Sequence, residues 1–528
     1  MKLWRSSLCA VPMVGLLAAC GADTGADQQG SDEPLAEVVP EGKADNYLSP
    51  TSMEYRLWGE GQITLDDAWA DKADQDKETH AKELLDYKFK AYGHFINVYV
   101  TNKEHEDANK DYGGFSGLVR PSSLSSLVEP VDGARMTWTF VWEFEMGGPR
   151  DMLAHLPLQT RSNGERWFPV KLPALSESQC IAGSYPDSFD PSTYTGAMEE
   201  IEVAIEPEKE SFDAWPEYRR LWDDGKLDMM ILVGGDYNAE RYDLKAAEQI
   251  FSWLKSAGFR HSAASYTDLT IDSPPFTKTI QADGKAVTVE VTLYHADIVS
   301  DDKLDLLRQK IVEAYETMDV LIYDGHAGQD PSYSGVVYHY NPRRAISAND
   351  LAQLALPAKY QIFMFNGCKT YSVYPTALYA SATKNTSNLD IISTVNFSWL
   401  TMQPFTTSGF INQLLAQKSG THDPRTYVEI LTEINKSANA NVYYGVHGLD
   451  DNTHLNPYAD VSALCRACSR DSDCPGAGNR CVRLSGGSFC AAECTADDGC
   501  PQGYKCKQIA EGNQIVGKQC LPQTYQCP

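Results

Sequence analysis

Two short blocks carry the residues best suited to covalent chemistry. One is Asp324-Gly325-His326-Ala327-Gly328 and the other is Asn366-Gly367-Cys368-Lys369-Thr370. An imidazole and a thiol brought to one carbonyl make a nucleophile with its proton carrier, the arrangement of covalent acyl transfer. Each block follows an apolar run rich in β-branched and aromatic residues, Val320–Tyr323 and Tyr360–Phe365. Such runs read as buried strands of a parallel sheet. Working groups in open α/β sheets sit just beyond the carboxyl ends of the strands. Two neighbouring strands would therefore deliver His326 and Cys368 to the same edge.

The elements around these blocks have α/β character from about residue 211 to 458. Met229–Val233 reads as a strand that ends at Gly234-Gly235-Asp236. Asp243 is positioned to cap a helix with the apolar face Leu244, Ala247, Ile250, Phe251 and Leu254. A hairpin is expected over Thr277–Gln281 and Ala286–Tyr294, turning at Asp283-Gly284. A second amphipathic helix carries Leu304, Leu307, Ile311 and Ala314. A loop with His339 and a short helix follow the His block, and further helices and a strand at Leu389–Val395 follow Cys368. Strands alternating with helices predict a mostly parallel sheet covered on both faces.

Residues 51–210 are expected to form a β-rich domain, with a sandwich one form of it and strands at Phe95–Val100 and Met136–Trp142. Residues 21–50 are acidic, poor in aromatics and read as a flexible tether. Residues 1–20 form a targeting segment, with Lys2 and Arg5 before an apolar core. Its end, Leu17-Ala18-Ala19-Cys20, resembles the lipobox of bacterial lipoproteins, which implies lipidation at Cys20 and tethering to the cell envelope. No later run reaches the ~18 apolar residues of a membrane helix. A net charge of −27 argues against nucleic acid and anionic lipid headgroups as partners.

Ten of the 14 cysteines fall between Cys465 and Cys527. Cys468, Cys474, Cys481 and Cys490 recur as Cys494, Cys500, Cys506 and Cys520, the first two pairs offset by 26 residues. In an exported chain this predicts a disulfide module of up to five bridges over 462–528, against a zinc alternative through Cys465 and Cys468. Cys180 and Cys368 are left over. Either they pair with each other or Cys368 is a working thiol. Tyr443–Gly448 also looks like a strand ending in His-Gly, so His447 rivals His326 as partner of Cys368.

An apolar strand followed by His, then an apolar strand followed by a small residue and Cys, resembles the caspase-like fold. That group includes caspases, legumain, clostripain, separase and the gingipains, and the likeness covers about residues 225–450. The resemblance implies Cys368 as nucleophile and His326 as acid and base. The N–H groups of Cys368 and of a glycine beside the histidine would form the oxyanion hole, with Gly325, Gly328 and Gly367 in support. The segment Asn396-Phe397-Ser398-Trp399 would line the substrate groove. The family's usual glycine directly after the histidine is Ala327 here, a strained choice if that position needs a positive φ. The activity implied is cysteine endopeptidase on a protein or peptide substrate, tilted to a basic residue at P1, with no cofactor and with calcium left open. The alternative is a catalytically silent surface lipoprotein of the same fold that acts in binding.

Overall fold

The computed structural model describes residues 45–107, 118–183, 192–328, 335–437, 442–512 and 514–527. The targeting segment, Cys20 and nearly all of the proposed tether lie outside them.

The chain is mixed α/β with several sheets and a disulfide-bonded C-terminal region. The N-terminal part is built from β1 (Ser52–Thr64), α1 (Asp74–Asp107), β2 (Leu118–Pro130), β3 (Thr137–Pro149), α2 (Met152–His155), β4 (Gln159–Thr160), β5 (Arg166–Pro173), α3 (Glu177–Ala182) and β6 (Met198–Pro207). Its strands form one antiparallel sheet in the order β2-β3-β1-β6-β5-β4, with α1 packed against it, so a sandwich is not formed. Phe95–Val100, expected as a strand, belongs to α1. The reason is phase. Ala81, Leu84, Leu85, Lys88, Ala91, Tyr92, Phe95 and Ile96 are buried at helical spacing, so the β-favouring end of the run continues a stripe begun about four turns earlier.

The second part runs α4 (Tyr218–Leu221), β7 (Lys226–Val233), α5 (Tyr242–Ser256), β8 (Phe276–Ala282), β9 (Lys285–His295), α6 (Leu304–Thr317) and β10 (Val320–Asp324). It continues with β11 (Gly335–Tyr340), β12 (Arg343–Ser347), α7 (Ala348–Ala352), β13 (Gln361–Asn366), α8 (Tyr374–Tyr379), β14 (Leu389–Thr394), α9 (Gln403–Leu414), β15 (Gln417–Lys418), β16 (Thr421–His422), α10 (Tyr427–Ser437) and β17 (Tyr444–His447). A seven-stranded sheet in the order β17-β14-β13-β10-β7-β9-β8 forms its centre. β9, β7, β10, β13 and β14 run parallel, and the edge strands β8 and β17 antiparallel. The β8–β9 hairpin turns at Asp283-Gly284, both at positive φ, as a two-residue turn demands. Leu304, Leu307, Ile311 and Ala314 are all buried on α6. Asp243 does not cap α5. Its carboxylate pairs with Arg241 at 3.0 and 2.9 Å instead.

β11 and β12 form a separate hairpin, so His339, expected in a loop, lies buried in a strand. The N-terminal sheet meets the central one close to Cys368. Arg120 of β2 is buried with Glu54 and Asp45, each at 3.0 Å, and Tyr371 donates its hydroxyl to the same Glu54. The C-terminal part contains β18 (Arg480–Leu484), β19 (Gly487–Glu493), β20 (Tyr504–Glu511) and β21 (Gln514–Pro522). Its bridges are Cys468–Cys481 and Cys474–Cys490, repeated as Cys494–Cys506 and Cys500–Cys520, with Cys465–Cys527 closing the module. All ten sulfurs are spent in pairs, which removes the zinc alternative.

Candidate active site

β10 and β13 are adjacent and parallel, with Asp324 opposite Asn366. His326 and Cys368 each lie two residues beyond that register pair and emerge at the same sheet edge. The two loops touch. Gly367 packs so closely that a Cβ there would lie 2.6 Å from the Ala327 Cβ and 2.9 Å from the Gly325 carbonyl. Gly367 thus serves close approach, because only a glycine lets the Cys loop lie against the His loop. Ala327 is absent from the positive-φ residues, so the strain anticipated for it does not arise.

A third strand contributes what the sequence reading missed. In strand order the sheet reverses direction of growth at β7, since β9 lies on one side of it and β10 on the other. Crevices open at such points, beyond the strand ends. Asp236, three residues past β7, reaches into this one and accepts from His326 Nε2 at 2.9 Å. The same carboxylate takes the main-chain N–H groups of Asn238 and Tyr242, both at 3.1 Å, and the Asn238 amide at 2.6 Å. Burial pushes this carboxyl upward, but those hydrogen bonds outweigh it and hold Asp236 below its ordinary value. Gly234 and Gly235 are required because β11 crosses directly over them, with Val337 O 2.3 Å and Tyr340 N 2.6 Å from where Cβ atoms would be. The signal was present as Gly-Gly-Asp at a strand end. What the sequence lacked was the adjacency of β7 and β10.

His326 is fixed further. Its carbonyl accepts from the Tyr323 hydroxyl at 2.6 Å, and Tyr237 stacks on its ring at 4.6 Å between centroids. With Nε2 on Asp236, Nδ1 is the ring nitrogen left for a reacting group. Asp324 ends β10, two residues before His326. It is fully buried and accepts from Thr407 at 2.7 and 2.8 Å and from the Asn366 amide at 2.9 Å. Burial pushes its carboxyl up to about 7.

Cys368, partly exposed, and Cys180, buried, are not joined in a disulfide. The Cys368 thiol donates to the Ser398 carbonyl at 3.5 Å. Burial pushes the thiol above its ordinary value, opposed by the nearby Lys369 ammonium. The resting thiol is therefore protonated, because burial disfavours the thiolate.

The remaining residues divide by role. Gly325 N–H donates to Asn366 O at 3.3 Å and so is committed to the main chain. The N–H groups of Cys368 and Gly328 meet no acceptor among the described residues, which leaves them for an oxyanion. Asn396 and Ser398, expected to line the substrate groove, are buried. Asn396 Oδ1 accepts from Tyr443 N at 3.0 Å, and Ser398 Oγ donates to Asn366 Oδ1 at 2.9 Å. Trp399 is 39% exposed. His447 lies elsewhere. β17 is antiparallel, so its carboxyl end sits opposite Ile391, near the start of β14.

Two surface pockets lie away from these residues. One, of about 320 Å³, is lined by Lys505, Lys507 and Tyr525, and the other, of about 330 Å³, lies beside Trp69 and His80. No protein-family model, curated protein or solved structure matches the chain.

Proposed function

We propose that this protein is a cysteine endopeptidase of the caspase-like type, akin to the gingipains and clostripain, acting through Cys368 and His326. The observation that carries the proposal is the parallel register of β10 and β13, which sets both groups at one edge with Asp236 on the imidazole. His326 Nδ1 takes the thiol proton as the sulfur attacks the scissile carbonyl. The oxyanion forms against the Cys368 and Gly328 N–H groups, the C–N bond breaks, and the imidazolium protonates the departing amine. Water, deprotonated by His326, then attacks the thioester and releases the acid and the free thiol. Asp236 keeps the proton on Nε2 throughout and stabilises the imidazolium. No step calls for a cofactor.

The experiment is cleavage of a mixed peptide library by purified protein, wild type against Cys368→Ala, His326→Ala and His447→Ala. Loss in the first two alone is expected. Loss in His447→Ala with retention in His326→Ala would overturn the assignment.

A second reading, the silent scaffold, is favoured by one observation, the protonated thiol held on the Ser398 carbonyl. Wild-type protein that cleaves no peptide, with reductant and calcium present, selects it.

We further propose export and lipid anchoring to the bacterial envelope at Cys20. Five disulfides suit an oxidising compartment, and no helix among the described residues is long and apolar enough to cross a membrane. Cys20→Ser should release the protein from washed membranes, and membrane retention of that variant would count against anchoring.

A further inference from the structure

Large apolar side chains are rarely left open to water without a use when they cluster at one place. Two of the exposed ones lie on the segments that hold the dyad, Tyr237 against His326 and Trp399 next to Ser398. On the histidine side, Tyr237 is 57% exposed while stacked on the His326 ring, and Tyr340 packs 5.1 Å from Tyr237 and 5.7 Å from the imidazole. On the cysteine side, Phe397 and the 39% exposed Trp399 bracket Ser398, whose carbonyl holds the Cys368 thiol. An aromatic surface thus stands on the segment that holds each member of the dyad.

The charges nearby bear on which side chain fits. The Lys369 ammonium stands 5.3 Å from the Phe397 ring centroid, beside the nucleophile, and would repel a second cation. Among the described residues, Asp236 is occupied by His326, Asn238 and Tyr242, and Asp324 by Thr407 and Asn366 beneath the surface. Neither serves a basic substrate side chain. Flat apolar walls recognise flat or bulky apolar groups through buried area and ring stacking.

Resting on the peptidase proposal, we infer that the enzyme cleaves next to aromatic or large aliphatic residues, with Tyr237 and Trp399 as the specificity-determining walls. This replaces the basic preference implied by resemblance.

The test is sequencing of the products from a mixed peptide library, followed by kcat/KM on paired peptides that differ only in Phe or Ala at the position flanking the cut. Phe, Tyr, Leu and Met should be enriched at that position. A hydrophobic wall discriminates by roughly tenfold to a hundredfold. Trp399→Ala and Tyr237→Ala should therefore each lower the Phe-to-Ala ratio about tenfold, mainly through KM. Tyr237→Phe, which keeps the stack on His326, should preserve the ratio and so separates substrate contact from loosened imidazole. Enrichment of Arg, Lys, Asp or Glu overturns the inference while leaving the peptidase in place. So does a ratio unmoved by both alanine variants. Absence of any cleavage by the wild type overturns the peptidase proposal, and this inference falls with it.

Discussion

At two edges of the central sheet a histidine stands at or just beyond a strand end, and the edges treat it differently. At the carboxyl edge of the parallel strands, His326 is partly exposed, held through one nitrogen by a charged carboxylate and through its carbonyl by Tyr323. At the opposite edge, His447 is fully buried, its Nδ1 on the Asp45 carbonyl at 3.0 Å and its ring packed by Tyr47 and Tyr371. The first arrangement fixes orientation and leaves a nitrogen facing outward. The second fills space. The difference comes from strand direction, because a parallel strand brings its following loop to the crevice and an antiparallel one carries it away.

The comparison breaks most sharply at the dyad. Cys368→Ala and His326→Ala should each reduce peptide turnover by about 10³-fold or more, since a nucleophile without its proton carrier cannot expel an amine. Far-UV circular dichroism of both variants should match the wild type. A comparable loss in His447→Ala would erase the distinction between the edges.

Next in size is Asp236→Asn. The amide can still occupy the site but cannot stabilise the imidazolium, and it can present its NH2 where an acceptor is needed. Turnover should fall about 10²-fold with KM changed far less, as for a group acting in proton transfer. A change confined to KM would make Asp236 merely a substrate-side residue.

His447→Ala should instead be a stability variant. Deleting a fully buried ring leaves a cavity among Tyr47 and Tyr371, which costs about 2–4 kcal/mol by analogy with large-to-small core changes. Urea unfolding would show it, with kcat within about threefold of wild type.

The smallest effect on turnover is expected from Asp324→Asn, which sharpens the comparison by separating support from chemistry. Asp324 titrates at about 7 in the fold and near 4 in the unfolded chain. Between these values the unfolded chain has released its proton and the folded one has not, so stability falls as pH rises from about 4 to about 7 and is level beyond. Asp390, buried with Tyr427 and Asn452 and also pushed up to about 7, acts over the same window. The Asn variant should lose about one proton of this dependence in urea titrations at stepped pH. An unchanged slope would mean that Asp324 is ionised in its buried site.

Much of this was legible in the chain itself. The apolar runs Val320–Tyr323 and Tyr360–Phe365 form strands wherever a core is available, and Asp283-Gly284 dictates a tight hairpin through its backbone preferences. The cysteine repeat likewise marks a disulfide module, while its connectivity, first to third and second to fourth in each half, came only with the fold. These are local properties, decided by side-chain type within a few residues. Phe95–Val100 was misread for the converse reason, because its β-favouring residues are overruled by a stripe that begins well before them.

Tertiary structure decided which distant groups meet. Asp236 is indistinguishable in sequence from any acid after a strand, and becomes the partner of His326 only because β7 and β10 are neighbours. Asp324 and Ser398 look solvent-facing in sequence, and packing against α9 and the Cys loop buries them. The types of group available for chemistry are written residue by residue. Their burial and partners follow from strand order and direction, which depend on how all the elements together cover the sheet.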